Sequence, residues 1–121
     1  MENIARKILL VDDDLSIRES LSALLENDGY RVCTAVDGAQ AMRALRRGPR
    51  PDAIVLDLMM PVLGGREFLE EKERQPRLRD LPVVVLTAYL EEAPMRAHVA
   101  AFLKKPFDVP RLLEVVEDVL G

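Results

Sequence analysis

Apolar residues fall in short unbroken runs at four places along the chain: ILLV at 8–11, AIVL at 53–56, VVVL at 83–86 and FL at 102–103. A fifth stretch, RVCTAV from Arg31, alternates apolar with polar residues instead. Unbroken runs of Val, Ile and Leu predict strands buried on both faces, whereas the alternating stretch predicts an edge strand. Cys33 lies in that alternating stretch, and its small side chain is expected to be buried.

Between the runs the period changes to that of a helix. Ile17, Leu21, Leu24 and Leu25 share one helical face, and Asn27, Asp28 and Gly29 predict where that helix stops. DGAQAMRALRRG, residues 37–48, predicts a second helix with Asp37 at its N-cap and Gly48 beyond its end. Residues 65–74 are charged and helix-forming, with a thin apolar face of Phe68 and Leu69. Leu112, Val115, Val116, Val119 and Leu120 make the stripe of a closing helix. In YLEEAPMRAHVAAF, residues 89–102, Pro94 suits the first turn of a further helix ahead of the last strand. The order is βαβαβαβαβα. Buried strands alternating with amphipathic helices require a parallel sheet covered on both faces, an α/β doubly wound fold.

The length of 121 residues predicts one domain, 1–121, large enough for a core that needs no disulfide or metal staple. The formal net charge of −4 excludes a general nucleic-acid binder, which would carry a basic face. No apolar run approaches the roughly 18 residues that a membrane span needs. MENIARKILLVDD at the start has no apolar stretch of signal-peptide length, so a cytoplasmic protein is expected. A single cysteine allows no internal disulfide, which fits a reducing compartment.

Polar groups terminate the strands. The first predicted strand ends in Asp12 and Asp13, the third in Asp57, the fourth in Thr87 and the fifth in Lys105. Two carboxylates about 4 Å apart repel by roughly 4 kcal/mol at an effective dielectric near 20, so such a cluster asks for a cation, a proton or open water. Taken singly, each residue has a plain explanation as a turn former, a helix cap or a solvated edge residue. In an open α/β sheet, however, ligands bind outside the carboxyl ends of the strands, where all of these groups converge. Three hard oxygen donors suit Mg²⁺ (or Mn²⁺), and a hydroxyl with an ammonium suits the oxygens of a phosphoryl group.

The pieces VDDD (11–14), LDLMMP (56–61) with Gly65 beyond, LTA (86–88) and KPF (105–107) resemble, in this order, the receiver domains of two-component response regulators. The resemblance covers essentially the whole chain and implies a flavodoxin-like (βα)5 fold with sheet order 2-1-3-4-5. It implies that Asp57 is the phosphoacceptor, attacking the phosphorus of a phosphohistidine to give an aspartyl phosphate. Asp13, Asp57 and the backbone carbonyl of Met59 would coordinate Mg²⁺ directly, and Asp12 mainly through a metal-bound water. Asp14 would cap the next helix. Lys105 would pair with Asp57 and then with the phosphate, across a cis Lys105–Pro106 bond. Thr87, followed by Ala88, and Phe102 resemble the phosphate-binding and switch positions, and Met59 and Tyr89 the positions that set the phosphoryl lifetime. The implied partners are a sensor histidine kinase or phosphotransfer protein, and a downstream protein target or fused output domain. Direct nucleic-acid or membrane binding is not implied, and a phosphorylation-dependent dimer is compatible with the family. Self-phosphorylation from a phosphodonor and self-dephosphorylation are the only reactions implied, so the chain is not read as an enzyme.

Two features depart from the family pattern. The interval from Thr87 to Lys105 is shorter than usual by about four residues, close to one helical turn, which implies a shortened fourth helix region. Ala100 and Ala101 stand where a glycine-containing link is usual. His98, in the same region, is read as a surface residue. The rival readings are a degenerate receiver that only docks to partners, and a haloacid-dehalogenase-like phosphatase. In the latter Asp12 would be nucleophile and Asp14 acid, but the further acidic pair after the lysine is lacking and Asp57 is left without a role. A flavodoxin-like nucleotide binder fails on charge, since three aspartates would replace the phosphate-cradling loop.

Overall fold

The computed structural model describes residues 5–57, 64–88 and 99–121. Its strands are β1 (Lys7–Val11), β2 (Arg31–Ala35), β3 (Ala53–Asp57), β4 (Val83–Thr87) and β5 (Ala101–Lys104). Its described helices are α1 (Leu15–Asn27), α2 (Gly38–Arg47), α3 (Gly65–Arg74) and α4 (Val109–Leu120), the last being the closing helix of the sequence pattern. The strands form one parallel sheet in the order β2-β1-β3-β4-β5. The shortened helix region expected around Pro94 and His98 falls in 89–98, outside the described residues.

Local sequence explains the helix boundaries. Asp14 caps α1 by accepting the Ile17 N–H at 3.1 Å, and Asp37 caps α2 by accepting the Gln40 N–H at 2.8 Å. Asp108 caps α4 by accepting the Arg111 N–H at 2.9 Å. Each cap satisfies one of the orphan donors of a first helical turn. Gly29 ends α1 with φ of +100°, a left-handed conformation that an L side chain rarely adopts. Its N–H donates to the Glu26 carbonyl at 3.0 Å, and the Tyr30 N–H to that of Leu25 at 3.1 Å, so the chain turns directly into β2.

Alternation along each strand divides the core in two. Leu9, Val11, Ile54, Leu56, Val83 and Val85 pack with Met42 and Leu45 of α2 and with Phe68 and Leu69 of α3. Ile8, Leu10, Val55, Val84, Leu86 and Leu103 pack with Leu21 and Leu25 of α1 and with Leu112, Val115 and Val116 of α4. Every residue of β3 and β4 is buried, which accounts for their unbroken apolar runs. Burying each such side chain contributes about 1.5–3 kcal/mol, so the centre of the sheet is its most rigidly held part.

Two positions differ from the sequence reading. Cys33 is exposed, not buried. It lies on edge strand β2 in register with the buried Leu9 of β1, where Leu45 of α2 packs over Leu9 but leaves the margin of the sheet open. The thin face of α3 is completed by a charged residue: Lys72 is 1% exposed, and its ammonium donates to the Arg79 carbonyl at 2.9 Å. Burial pushes the Lys72 pKa below its ordinary value.

Candidate functional site

The register of the central strands brings the acids together. Val11 of β1 pairs with Leu56 of β3, so the residues that follow them, Asp12 and Asp57, emerge side by side at the carboxyl rim. On the other side of β3, Asp57 pairs with Leu86, next to Thr87 at the end of β4. Thr87 pairs in turn with Lys104, and the Lys105 N–H donates to the Thr87 carbonyl at 2.8 Å. Asp12, Asp57, Thr87 and Lys105 therefore stand at neighbouring strand ends, with Asp12 and Asp57 beside the junction of β1 and β3. That junction is where the sheet order reverses, and open α/β sheets place their ligand crevice there.

Asp12, Asp13 and Asp57 each offer a carboxylate oxygen, and these atoms all lie within 4.8 Å of one another. Asp12 has no exposed surface, Asp57 is 5% exposed, and Asp13 is exposed. The Lys105 ammonium lies 3.2 Å from Asp57 Oδ1 and is part-buried. The Lys105–Pro106 peptide bond is cis. Thr87 is 3% exposed, Ala88 beside it is exposed, and Phe102 packs partly buried against the core under α2 and α3. Met59 and Tyr89 lie outside the described residues.

Backbone contacts fix the Asp12 side chain. Its Oδ1 accepts the Asp14 N–H at 2.9 Å, and its own N–H donates to the Ala35 carbonyl of β2 at 3.1 Å. The second oxygen, Oδ2, is buried without a hydrogen-bond partner among the described residues. Burial raises the Asp12 pKa above its ordinary value; the Asp14 N–H opposes this, the Asp57 charge adds to it, Lys105 opposes it and Asp13 adds to it. One residue escaped the sequence reading: Arg18 of α1 donates to the Asp12 carbonyl at 2.9 Å. Its only sequence signal is its place in the first turns of the helix that follows the acids.

An orphaned, buried carboxylate oxygen among three converging carboxylates fits a hard divalent cation, which would satisfy that oxygen and offset the repulsion. All three donors are oxygens, the ligand type that Mg²⁺ and Mn²⁺ take. The pairing of a buried carboxylate with an ammonium at the same rim fits an anionic group that arrives at Asp57 and keeps Lys105 as its counter-ion.

Comparison with known proteins agrees with this arrangement. The response regulator receiver domain model matches residues 8–117. The phosphate regulon transcriptional regulatory protein PhoB of Escherichia coli is 35% identical over 121 residues, which span 97% of this chain and 52% of PhoB. The chain thus spans about half the length of the curated relatives it matches. Among solved structures, the chemotaxis response regulator CheY4 of Vibrio cholerae superposes with a TM-score of 0.89 at 33% identity, covering 96% of this chain and 99% of CheY4. The receiver domain of the sensor histidine kinase PA1611 from Pseudomonas aeruginosa superposes with a TM-score of 0.89 at 34% identity, covering 98% of this chain and 99% of that one. That receiver holds a magnesium ion coordinated in its active-site cleft.

Proposed function

The chain belongs to the response regulator receiver domain family, a phosphorylation switch by general function, and from that premise we propose that Asp57 is its phosphoacceptor. The observation that carries the proposal is Asp57 itself: a buried carboxylate at the end of the central strand, 3.2 Å from the Lys105 ammonium and within 4.8 Å of two further carboxylates. A carboxylate oxygen of Asp57 attacks the phosphorus of a phosphohistidine on a sensor histidine kinase or phosphotransfer protein. The new P–O bond forms as the P–N bond breaks, and the imidazole nitrogen leaves with the electron pair. Asp12, Asp13 and Asp57, with the backbone carbonyl of Met59, would hold Mg²⁺ or Mn²⁺, which supplies positive charge against the phosphoryl oxygens.

Lys105 exchanges its contact with the Asp57 carboxylate for one with the phosphoryl group, and the Thr87 hydroxyl donates to another phosphoryl oxygen. Phe102 moves inward behind Thr87, which carries the state of the site to a partner-binding face. Taking such a switch from mostly off to mostly on requires phosphorylation to favour the on state by about 5.5 kcal/mol, and charge-assisted hydrogen bonds at about 1.5–3 kcal/mol each are of the size to contribute much of it. The bulky, non-acidic Met59 and Tyr89 favour a long-lived phosphoryl group; a half-life of seconds would count against that. The recipient of the signal is a downstream protein or a fused output domain, with a phosphorylation-dependent dimer as one mode of output.

The test is intact mass after incubation with acetyl phosphate and Mg²⁺, with Asp57→Asn and a Mg²⁺-free sample as controls. One added phosphoryl group that disappears in both controls is the expected result. No adduct, from a cognate kinase as well, would favour a receiver that only docks. Modification that survives in Asp57→Asn but is lost in Asp12→Asn would return the phosphatase reading with Asp12 as nucleophile.

A further inference from the structure

At the opposite end of the sheet from the acids, a cleft of about 320 Å³ opens between the start of β1, the middle of β2 and the last turn of α2. Its walls are mostly apolar: Leu9, Leu45, Pro49 and Pro51 line it, together with the exposed Cys33. Two cations stand at its border, Lys7 and Arg47. Neither is in an ion pair among the described residues. Asp52, the acid next to Pro51, already accepts the Lys7 backbone N–H at 2.7 Å. Apolar walls with a few convergent polar groups are the ordinary make-up of a small-molecule site, and this volume sits at the lower end of the about 300–1,000 Å³ range of such sites.

We propose that this cleft binds a small amphipathic anion, an aliphatic carboxylate whose chain lies against the exposed Cys33, Ala44 and Pro49, over a floor of Leu9 and Leu45, and whose carboxylate faces Arg47 and Lys7. An amphipathic cation would be repelled by these two cations, whereas a carboxylate gains charge-assisted hydrogen bonds from them that a purely apolar body does not. The place is independent of phosphoryl transfer, since none of the lining residues belongs to the acid cluster or its lysine.

Cys33 is the sole cysteine of the chain, so its reaction with a maleimide reports directly on access to the cleft. Octanoate is expected to slow that reaction by the factor 1 + [octanoate]/Kd, about tenfold at ten times Kd, and to raise the melting temperature in parallel. Octylamine is expected to protect far less. Arg47→Glu, a change at an exposed residue, is expected to weaken octanoate protection by about tenfold or more, the scale of one charge-assisted contact, with Arg47→Gln intermediate. Both variants should still take up one phosphoryl group from acetyl phosphate, which establishes that they are folded. No protection by octanoate, equal protection by octylamine, or protection undiminished in Arg47→Glu would each overturn the proposal.

Discussion

Replacing Asp12 by asparagine is expected to stabilise the metal-free protein while removing most of what Mg²⁺ adds. The oxygens of Asp12, Asp13 and Asp57 lie within 4.8 Å of one another, and at that distance two carboxylates repel by about 3.5 kcal/mol at an effective dielectric of 20 and about 0.9 kcal/mol in bulk water. The buried Asp57 acts on Asp12 near the first value and the exposed Asp13 near the second. Burial of Asp12 adds a desolvation cost, while the Asp14 N–H and Lys105 oppose it, so the Asp12 charge carries a net penalty on the order of 2 kcal/mol. Asparagine has the same shape. It keeps an oxygen for the Asp14 N–H and puts an amide donor where Oδ2 has no partner. At about 4 °C per kcal/mol for a domain of this size, Asp12→Asn should melt about 8 °C above the wild type in chelator. The wild type should recover the difference with metal, because Mg²⁺ at about a hundred times its Kd contributes about 2.7 kcal/mol. The assay is thermal denaturation of both proteins with chelator and with saturating Mg²⁺. The reasoning fails if Asp12→Asn melts at or below the wild type in chelator, or if it gains as much from Mg²⁺ as the wild type does.

Asp14→Ala removes the cap on the Ile17 N–H and should cost about 1 kcal/mol, seen as a lower melting temperature, yet it should keep the full gain from Mg²⁺; loss of that gain would make Asp14 a ligand and not a cap. Lys105→Met takes away the counter-ion of buried Asp57; because the lysine side chain is 30% exposed, the cost in Mg²⁺-free buffer should be only about 1 kcal/mol by urea titration. The same variant should slow phosphoryl uptake from acetyl phosphate by about a hundredfold in a mass time course. Lys72→Met and Lys72→Ala both leave the Arg79 carbonyl without the lysine. Methionine fills the space and removes a buried charge and should stay within about 1 kcal/mol of the wild type in urea at neutral pH, whereas alanine also leaves a cavity and should lose about 2–4 kcal/mol. Burial lowers the Lys72 pKa, so the unfolded chain holds a proton that the native state gives up; wild-type stability should therefore gain on Lys72→Met as pH rises from that lowered value towards 10.5.

The strands and most helix boundaries were legible because local chemistry decides them. Apolar runs needed two-sided cover, and Asp14, Asp37 and Asp108 each precede a helical pattern by the spacing at which a carboxylate reaches a free N–H. The gathering of Asp12, Asp13, Asp57, Thr87 and Lys105 was legible for a different reason. In a parallel sheet every strand ends on the same rim, so residues far apart in sequence are neighbours once the strands are found. Cys33 was misjudged because alternation along an edge strand records the face of the sheet and not how far a helix extends over it. The place of Lys72 on the buried face of α3 is not legible locally, because its acceptor, the Arg79 carbonyl, comes from the turn beyond the helix. Arg18 was missed for the same cause: its partner is the backbone of Asp12, which no side-chain pattern reports.

What makes the acid cluster useful is that the molecule cannot relax it. Asp12 and Asp57 extend strands whose preceding residues, Leu10, Val11, Val55 and Leu56, have no exposed surface and are locked in register with one another. Separating the two carboxylates would mean shifting β1 against β3 through both halves of the core, a displacement far more costly than about 3 kcal/mol of repulsion, given about 1.5–3 kcal/mol for each buried side chain. With the strand ends fixed and Asp12 Oδ1 held by the Asp14 N–H, a proton, a cation or the Lys105 ammonium relieves the repulsion. A charge that the fold holds in place but does not neutralise gives a cation something to bind against, and the shared register of β3, β4 and β5 fixes Thr87 and Lys105 beside it. The apolar runs that made the strands recognisable in the sequence are thus what gives the charges at their ends their chemistry.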